Sequence, residues 1–197
     1  MSSHSNILIL QGHPDNGEVH LCHALASHYR LGAESAGHEV RELDIADLSF
    51  PLLRSPQEWE HGALPESLGE AQAAIAWAQH IVLVFPLWLG DMPALLKGFL
   101  EQVARPGFAF VRDEKNPFGR KGLTGRSARV VVTMGMPATI YRYFYRAHSL
   151  KSLERNILGF VGIAPIRETL VGMTGKLDEA GAQRWFRKLE KLGQRAQ

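Results

Sequence analysis

The chain has 197 residues, of which 45% are hydrophobic and 9% aromatic, so we expect a single domain over residues 1–197 with a sizeable core. Charged residues make up 21% and the formal net charge is +2, which disfavours a nucleic-acid binder or a polybasic membrane anchor because both carry a clustered basic surplus. The one cysteine, Cys22, has no partner for an internal disulfide or a cysteine metal cluster, so we expect a cytoplasmic protein without a metal site.

Short apolar runs predict the strands of a sheet. The first run, at residues 7–10, is too short for a secretion signal or a membrane span and predicts a leading strand. Similar runs at 81–85, 129–133 and 166–171 are rich in aliphatic and β-branched residues, as expected for strands buried on both faces of a parallel sheet. A fifth run, at 39–45, mixes apolar residues with charges and predicts a strand nearer the edge.

Segments with helical spacing alternate with these runs. One helix carries Leu21 and Leu25 on its apolar face, and another covers residues 68–78. A third starts at about Pro93, which suits a first turn, and the last starts near Asp178. Strand and helix alternation predicts an α/β fold, a doubly wound parallel sheet with helices on both faces. The long connections at 46–65 and 107–126 are interpreted as loops that serve as lids or interface arms.

Ligands of such sheets bind at the carboxyl ends of the strands, and the loop after the first strand offers an anion site there. It reads Gly-His-Pro-Asp at residues 12–15 and leads into a helix whose free N–H groups can hold a phosphate. His13 and His20 can donate hydrogen bonds to that phosphate, although solvated loop histidines are an equal alternative. The loop matches neither the dinucleotide fingerprint nor a Walker A loop, which disfavours both of those nucleotide sites.

Two further loops follow strands of the predicted sheet. Trp88 and Leu89 lie after the third strand and suit a flat ring system, although large apolar residues also often cover the end of a core. Thr133 and Gly135 follow the next strand and can hydrogen-bond the edge of a heteroaromatic ring. The segment at 141–148 is dense in aromatic and basic residues, which suits a ring-binding platform or a dimer surface.

Four stretches carry a family resemblance: Gly-His-Pro-Asp at 12–15, Phe-Pro-Leu-Trp at 85–88, and the segments at 92–99 and 156–162. In this order they resemble the flavodoxin-like NAD(P)H dehydrogenase (quinone) family, related to DT-diaphorase, across nearly the whole chain. The resemblance implies a flavodoxin-like five-stranded parallel sheet with strand order 2-1-3-4-5. It also implies FMN or FAD as the cofactor and NAD(P)H as the electron donor.

The resemblance also assigns residues to the parts of the flavin. The phosphate maps onto His13, His20, Leu21 and Cys22, the isoalloxazine onto Pro86, Leu87, Trp88 and Leu89, and its carbonyl and N1 edge onto Thr133, Gly135 and Tyr141. Tyr141 and His148 are the implied catalytic residues, with His148 one position beyond the family's histidine, which aligns with Ala147. His20 stands where members of the family carry a serine or threonine hydroxyl.

The function that this resemblance implies is electron transfer from NAD(P)H through the bound flavin to a quinone-like acceptor, by a homodimer. The alternative is a flavin-binding ancillary subunit of a potassium-efflux system. A receiver domain is excluded because Phe85 and Pro86 stand where its acid is required, and the sequence pI of about 8.8 disfavours an electron-carrier flavodoxin. Five basic residues could contact the 2′-phosphate of NADPH, although their presence is also explained by a solvated basic loop. They are Arg112, Lys115, Arg120, Lys121 and Arg126.

Overall fold

The computed structural model describes residues 4–113 and 116–197, with side chains left undescribed at 112, 113 and 116–118. Lys115 and the side chain of Arg112, both candidate 2′-phosphate ligands, therefore lie outside the described parts. Every described helix is too short or too polar to cross a lipid bilayer.

Five parallel strands form the central sheet. They are β1 Asn6–Gln11, β2 Glu39–Asp44, β3 His80–Pro86, β6 Ser127–Thr133 and β7 Ile166–Val171, in the spatial order β2-β1-β3-β6-β7. Counted within this sheet the order is 2-1-3-4-5, so the flavodoxin-like strand order is confirmed, including the edge position of β2. The chain leaves β1 for β2 on one side and later adds β3 on the other, which makes the carboxyl ends of β1 and β3 the switch point of the fold.

Helices cover both faces of the sheet. They are α1 Leu21–Ser35, α2 Pro56–His61, α3 Gly69–Trp77, α4 Ala94–Val103, α5 His148–Ser152, α6 Gly159–Val161 and α7 Glu179–Gly193. Alternation along β1 separates two cores: Ile7 and Ile9 join the cluster beneath α1 and α7, whereas Leu8 and Leu10 join the larger cluster beneath α3 and α4.

Glycines let α1 and α7 approach backbone to backbone. A Cβ atom at Gly32 would lie 2.0 Å from the carbonyl oxygen of Glu190, and one at Gly193 would lie 2.1 Å from that of Tyr29. No side chain fits at either position, so the two helices form one layer that holds α1 firmly on the sheet.

The two long connections contain more structure than the sequence predicts. Residues 107–126 include an antiparallel hairpin, β4 Phe110–Asp113 and β5 Asn116–Lys121, and the other connection contains α2. The ring of Phe110 lies 5.2 Å from Trp59 of α2 and 5.7 Å from Phe160. These long-range aromatic contacts stabilise short elements that the local pattern, rich in glycine and proline, does not indicate.

Candidate functional site

The loop between β1 and α1 begins at the switch point and is tied to β3. The backbone N–H of Gly12 donates to the carbonyl oxygen of Val84 at 2.7 Å, and a Cβ atom at Gly12 would lie 2.9 Å from Leu96 Cδ2. The first helical hydrogen bond of α1 joins Ala24 N to His20 O at 3.2 Å. The N–H groups of Leu21 and Cys22 precede that bond and are directed out of the helix end, as an anion site requires.

Three histidines gather over this helix end. The buried ring of His13 stacks on His20, with centroids 3.9 Å apart and planes 19° apart. His23 lies in the first turn of α1, where its Nδ1 accepts from His20 N at 3.0 Å, and its ring centroid is 5.5 Å from that of His13. We call His13, His20 and His23 the histidine cluster. His23 is not among the predicted site residues, although the spacing of three between His20 and His23 places both on one face of a helical turn.

Carboxylates border the histidine cluster. Asp15 Oδ2 lies 2.9 Å from His20 Nε2, Glu18 Oε1 lies 4.0 Å from His20 Nδ1, and Asp44 Oδ2 lies 3.7 Å from His23 Nε2. The backbone N–H of Gly17, at 2.9 Å from Asp15 Oδ1, and then His20 hold the pKa of Asp15 below its usual value. Burial lowers the pKa of His13, and the neighbouring His20 and His23 lower it further while the hydrogen bond to the Asp15 backbone opposes them. The site therefore keeps an ionised Asp15 beside a neutral His13.

A buried amide at the base of the loop lacks a partner. Gln11 ends β1 with a side chain that is 1% exposed, and its Oε1 accepts from His13 N at 3.3 Å, which places the amide under the loop. Its Nε2 has no hydrogen-bond partner in the described part of the chain. Buried donors are normally paired, so this N–H group indicates a missing acceptor. Imidazoles, helix N–H groups and this amide together form a donor set that fits a phosphate.

The loop after β3 places an indole beside the histidine cluster. Trp88 N donates to Asp91 O at 2.8 Å and Asp91 N donates to Trp88 O at 2.9 Å, which closes a two-residue turn with Leu89 at φ 48° and Gly90 at φ 84°. Trp88 is 49% exposed as a residue, and its ring packs edge-on with His13, with centroids 5.9 Å apart. Leu89 is fully exposed. Trp88 and Leu89 thus leave apolar surface open next to the loop instead of closing the core.

The other residues assigned to the ring lie around these two loops. Leu87 N donates to Thr133 O at 2.7 Å, which joins the loop after β3 to the end of β6; Pro86 is buried at the end of β3. The Oγ1 atom of Thr133 lies 3.2 Å from Cys22 Sγ under the start of α1. Gly135 is exposed, and a Cβ atom at this position would have no atom within 4 Å, so packing does not require glycine there.

The two predicted catalytic residues lie apart from the histidine cluster. Tyr141 is buried, and its hydroxyl lies 2.7 Å from Ser149 Oγ and accepts from Leu150 N at 3.1 Å. His148 is exposed at the start of α5, and its backbone N–H donates to Tyr145 O at 3.3 Å. Within the described chain no hydrogen bond or ring contact joins His148 to Tyr141 or to the cluster. Their catalytic roles remain predictions.

Two of the basic residues considered for a 2′-phosphate support the fold. Arg126 donates from Nε to Ile75 O at 3.1 Å and from a terminal nitrogen to Ala76 O at 2.7 Å. Lys121 Nζ donates to Gly159 O at 2.9 Å. These contacts anchor the hairpin segment to neighbouring helices and favour the structural explanation of that basic loop.

Comparison with known proteins gives one family match and consistent relatives. The model of a family described as having a flavodoxin-like fold matches residues 5–192. An uncharacterized NAD(P)H oxidoreductase of Haemophilus influenzae is 28% identical over 178 residues, which cover 88% of this chain and 87% of that protein. An FMN-dependent NADH:quinone oxidoreductase of Erythrobacter litoralis is 32% identical over 140 residues, which cover 71% of this chain and 66% of that protein.

Solved structures agree on the fold. The NAD(P)H:quinone oxidoreductase from Methanothermobacter marburgensis superposes with a TM-score of 0.81 at 22% identity, covering 98% of this chain and 96% of that one. An FMN-dependent NADH-azoreductase from Bacillus anthracis, solved in complex with FMN, gives a TM-score of 0.73 at 19% identity, covering 97% and 98%. At these identities the likeness concerns the architecture alone.

Proposed function

The chain belongs to the flavodoxin-like fold family, and on this premise we propose that it is an FMN-dependent oxidoreductase that takes hydride from NAD(P)H and passes electrons to a quinone-like acceptor. The relatives described above are named as NAD(P)H or NADH:quinone oxidoreductases, and nothing in them favours an ancillary subunit of a potassium-efflux system. The observation that carries the proposal is the phosphate donor set directly beside an exposed indole at the switch point of the sheet.

In this proposal each loop has a separate task. When bound, FMN supplies the redox chemistry, which is acceptance of hydride and delivery of electrons to an acceptor. The histidine cluster, the first N–H groups of α1 and the Gln11 amide hold the phosphate. The Trp88 turn orients the ring, and the hydrogen bond from Leu87 N to Thr133 O fixes that turn relative to the end of β6. Thr133, Gly135 and Tyr141 are proposed to lie toward the polar edge of the ring, with His148 further along the same segment.

The proposal is tested with the purified protein, stripped of ligand and then mixed with FMN. We expect FMN to remain with the protein through gel filtration and to be bleached by NADH or NADPH under anaerobic conditions. Addition of a naphthoquinone should restore the visible absorbance, at a rate above that of free FMN at the same concentration. A protein that retains no FMN, or FMN whose bleaching is not accelerated by the protein, would contradict the proposed function.

We further propose that the active form is a homodimer. The segment after Thr139 exposes Ile140 and three aromatic side chains, Tyr143, Phe144 and Tyr145, and a group of exposed apolar side chains is typical of an interaction surface. A second copy that covers this segment would bury it close to the predicted ring site. Light scattering should give twice the chain mass, and Phe144→Ser should shift the protein toward the monomer; a monomeric wild-type protein at micromolar concentration would contradict the dimer.

A cytoplasmic location is also part of the proposal. Cys22 is a buried free thiol, which is compatible with a reducing compartment. Fractionation of cells that express the tagged protein would test this, with recovery in the extracellular fraction as the contradicting result.

A further inference from the structure

The solvent-facing side of α7 carries only positive charge. Spacings of three and four positions place the exposed basic residues of the helix, and one in the turn after it, on a single side. They are Arg184, Arg187, Lys188, Lys191 and Arg195. We call these five residues the basic face. Because a helix rises about 1.5 Å per residue, the row is about 16 Å long.

The basic face is not neutralised within the described residues. None of its five side chains forms an ion pair there. Glu190, the acid within the same stretch of helix, faces α1 and pairs with His28 at 2.7 Å. Lys188 Nζ lies 4.6 Å from the centre of the Trp185 ring, a contact that leaves its charge in place. Like charges in one row repel each other, so an anionic partner would stabilise this face.

The small net charge of the chain conceals this row. The formal charge of +2 disfavours a polybasic anchor only if the charges are evenly spread. In the folded chain acids are concentrated elsewhere: Glu39, Glu42 and Asp44 belong to the edge strand β2, and Asp15 and Glu18 belong to the loop after β1. Folding therefore separates the charges and gives α7 a local surplus that the composition does not show.

The shape of this surface favours a broad partner. Gly32 packs directly on the backbone of Glu190, so α7 lies flush in one layer with α1 and does not project as a helix that enters a DNA groove does. The five cations and Leu192 line an open cleft of about 370 Å³. This lining offers neither an aromatic ring for base stacking nor an amide for base edges. A plane of negative headgroups fits it better than a nucleic acid does.

The direction of α7 relates this surface to the proposed ring site. Just before α7, Met173 N donates to Met136 O at 3.0 Å and Thr174 N donates to Met134 O at 3.2 Å, beside the loop after β6. A bilayer against α7 would therefore lie alongside the site without covering the carboxyl ends of the strands. A quinone-like acceptor with an apolar tail partitions into bilayers, so the choice of lipid over other polyanions rests on the proposed function.

We propose that the basic face of α7 docks the protein reversibly on bilayers that carry anionic lipid headgroups. The contact is electrostatic, because the apolar side of α7 stays in the core, where Leu189 is fully buried. No segment has to insert into the hydrocarbon layer. The docked protein would meet an acceptor dissolved in the bilayer while its flavin site remains open to NAD(P)H from solution.

Cosedimentation with vesicles tests the docking. The purified protein, with FMN added, is mixed with vesicles of phosphatidylcholine alone or of equal parts phosphatidylcholine and phosphatidylglycerol. We expect binding to the second kind only. Added NaCl should release the protein, because the Debye length falls from about 10 Å at 0.1 M to about 3 Å at 1 M salt.

Charge variants assign the binding to α7. Each Lys or Arg near an anionic bilayer strengthens binding about fivefold, so Arg187→Gln with Lys191→Gln should weaken it about 25-fold. Glutamine is a good helix former, so the fold should be kept. The matched control is Arg54→Gln with Arg155→Gln, which removes two exposed charges away from α7 and should bind as the wild type does. Both pairs should reduce a water-soluble naphthoquinone at the wild-type rate.

The outcomes separate this inference from the proposed function. Equal binding to both kinds of vesicle, binding that salt does not reverse, or equal weakening in the two variant pairs would overturn the docking. Tighter binding to duplex DNA or to polyglutamate than to the anionic vesicles, at equal concentration of charge, would also overturn it and assign another partner. Vesicle binding without any quinone reduction would contradict the proposed function alone. Wild-type binding and its salt dependence decide the question even if a variant fails to fold.

Discussion

The imidazole rings of His13 and His20 stack 3.9 Å apart at the start of α1, although seven positions separate them in the chain. His13 is buried and belongs to the loop, whereas His20 caps the helix and faces Asp15. The stack joins the loop to the helix end at the point where a phosphate is expected. The following expectations test the surroundings of this pair.

Replacement of Trp88 tests the proposed wall of the ring site. Trp88→Ala removes a half-exposed indole that packs on His13 and not on the core, so FMN binding should weaken by about 3- to 10-fold, as expected for the loss of one aromatic contact of about 0.5–1.5 kcal/mol. Trp88→Phe keeps an aromatic face and should stay within about twofold of wild type in a fluorescence titration. Equal affinity of the alanine variant and the wild type would remove Trp88 from the site.

Replacement of Gln11 tests the unpartnered amide. Gln11→Leu removes an unsatisfied buried donor together with the long bond from His13 N, so the stability of the flavin-free protein should change by less than about 1 kcal/mol. FMN binding should weaken by about 10- to 150-fold, since one hydrogen bond of about 1.5–3 kcal/mol to a charged group is lost. Thermal unfolding and titration measure the two quantities. A Leu variant that binds FMN as wild type does would show that the amide faces no ligand.

Tyr141→Phe separates a structural from a catalytic role. The hydroxyl accepts from Leu150 N, so its loss should cost about 1–3 kcal/mol of unfolding free energy by leaving a buried N–H unsatisfied. If Tyr141 also has the catalytic role predicted from sequence, the variant should still bind flavin, but NADH should reduce that flavin more slowly in stopped-flow measurements. Ser149→Ala keeps the bond to Leu150 and serves as the control. An unchanged reduction rate in Tyr141→Phe would limit this residue to support of α5.

Cys22 should be an unreactive thiol in the folded protein. Burial raises its pKa to about 11, from an ordinary value of 9.0, against the opposing hydrogen bond to Thr133. The thiolate is then scarce at pH 8, and a disulfide reagent should react at least about tenfold more slowly with native than with denatured protein. Because the unfolded thiol ionises first, this group should reduce stability as the pH rises above 9 toward 11. Rapid labelling of the native protein would contradict the buried position.

His80 should make the fold sensitive to acid. Burial, with the nearby Arg129 and Arg167 as further causes, lowers its pKa to about 4 from an ordinary 6.5. The unfolded chain therefore binds a proton first as the pH falls, and stability should decrease between about pH 6.5 and 4 by up to about 3 kcal/mol. His80→Asn can keep a hydrogen bond to Ser127 Oγ, which lies 2.8 Å from His80 Nδ1, without titrating. Denaturant unfolding should show a smaller loss of unfolding free energy between pH 7 and pH 5 for this variant than for the wild type. Equal losses in the two proteins would mean that His80 is not the source of the acid sensitivity.

The amino-acid sequence alone was enough to predict the strand segments, their place in a flavodoxin-like sheet and the membership in the flavodoxin-like fold family. Buried parallel strands such as 81–85 are recognisable because every residue of the run is apolar, and the order of the loop motifs restricts the family. The match over residues 5–192 confirms that interpretation. The loop after β1 could likewise be proposed from sequence as an anion site, since its position between a strand and a helix start is a local property.

Which groups meet depends instead on how the elements pack. The Cys22 thiol and the Thr133 hydroxyl touch across 111 positions, the Gln11 amide is left without a partner in the described part of the chain, and the hydroxyl of Tyr141 is occupied by α5. The β4–β5 hairpin depends likewise on distant aromatic rings. Hydrophobic periodicity reports whether a residue is buried, but the partner of a buried polar group is set by the contact of separate elements. The position of the loop after β1 could therefore be predicted from sequence, whereas the partners of its polar groups required the folded chain.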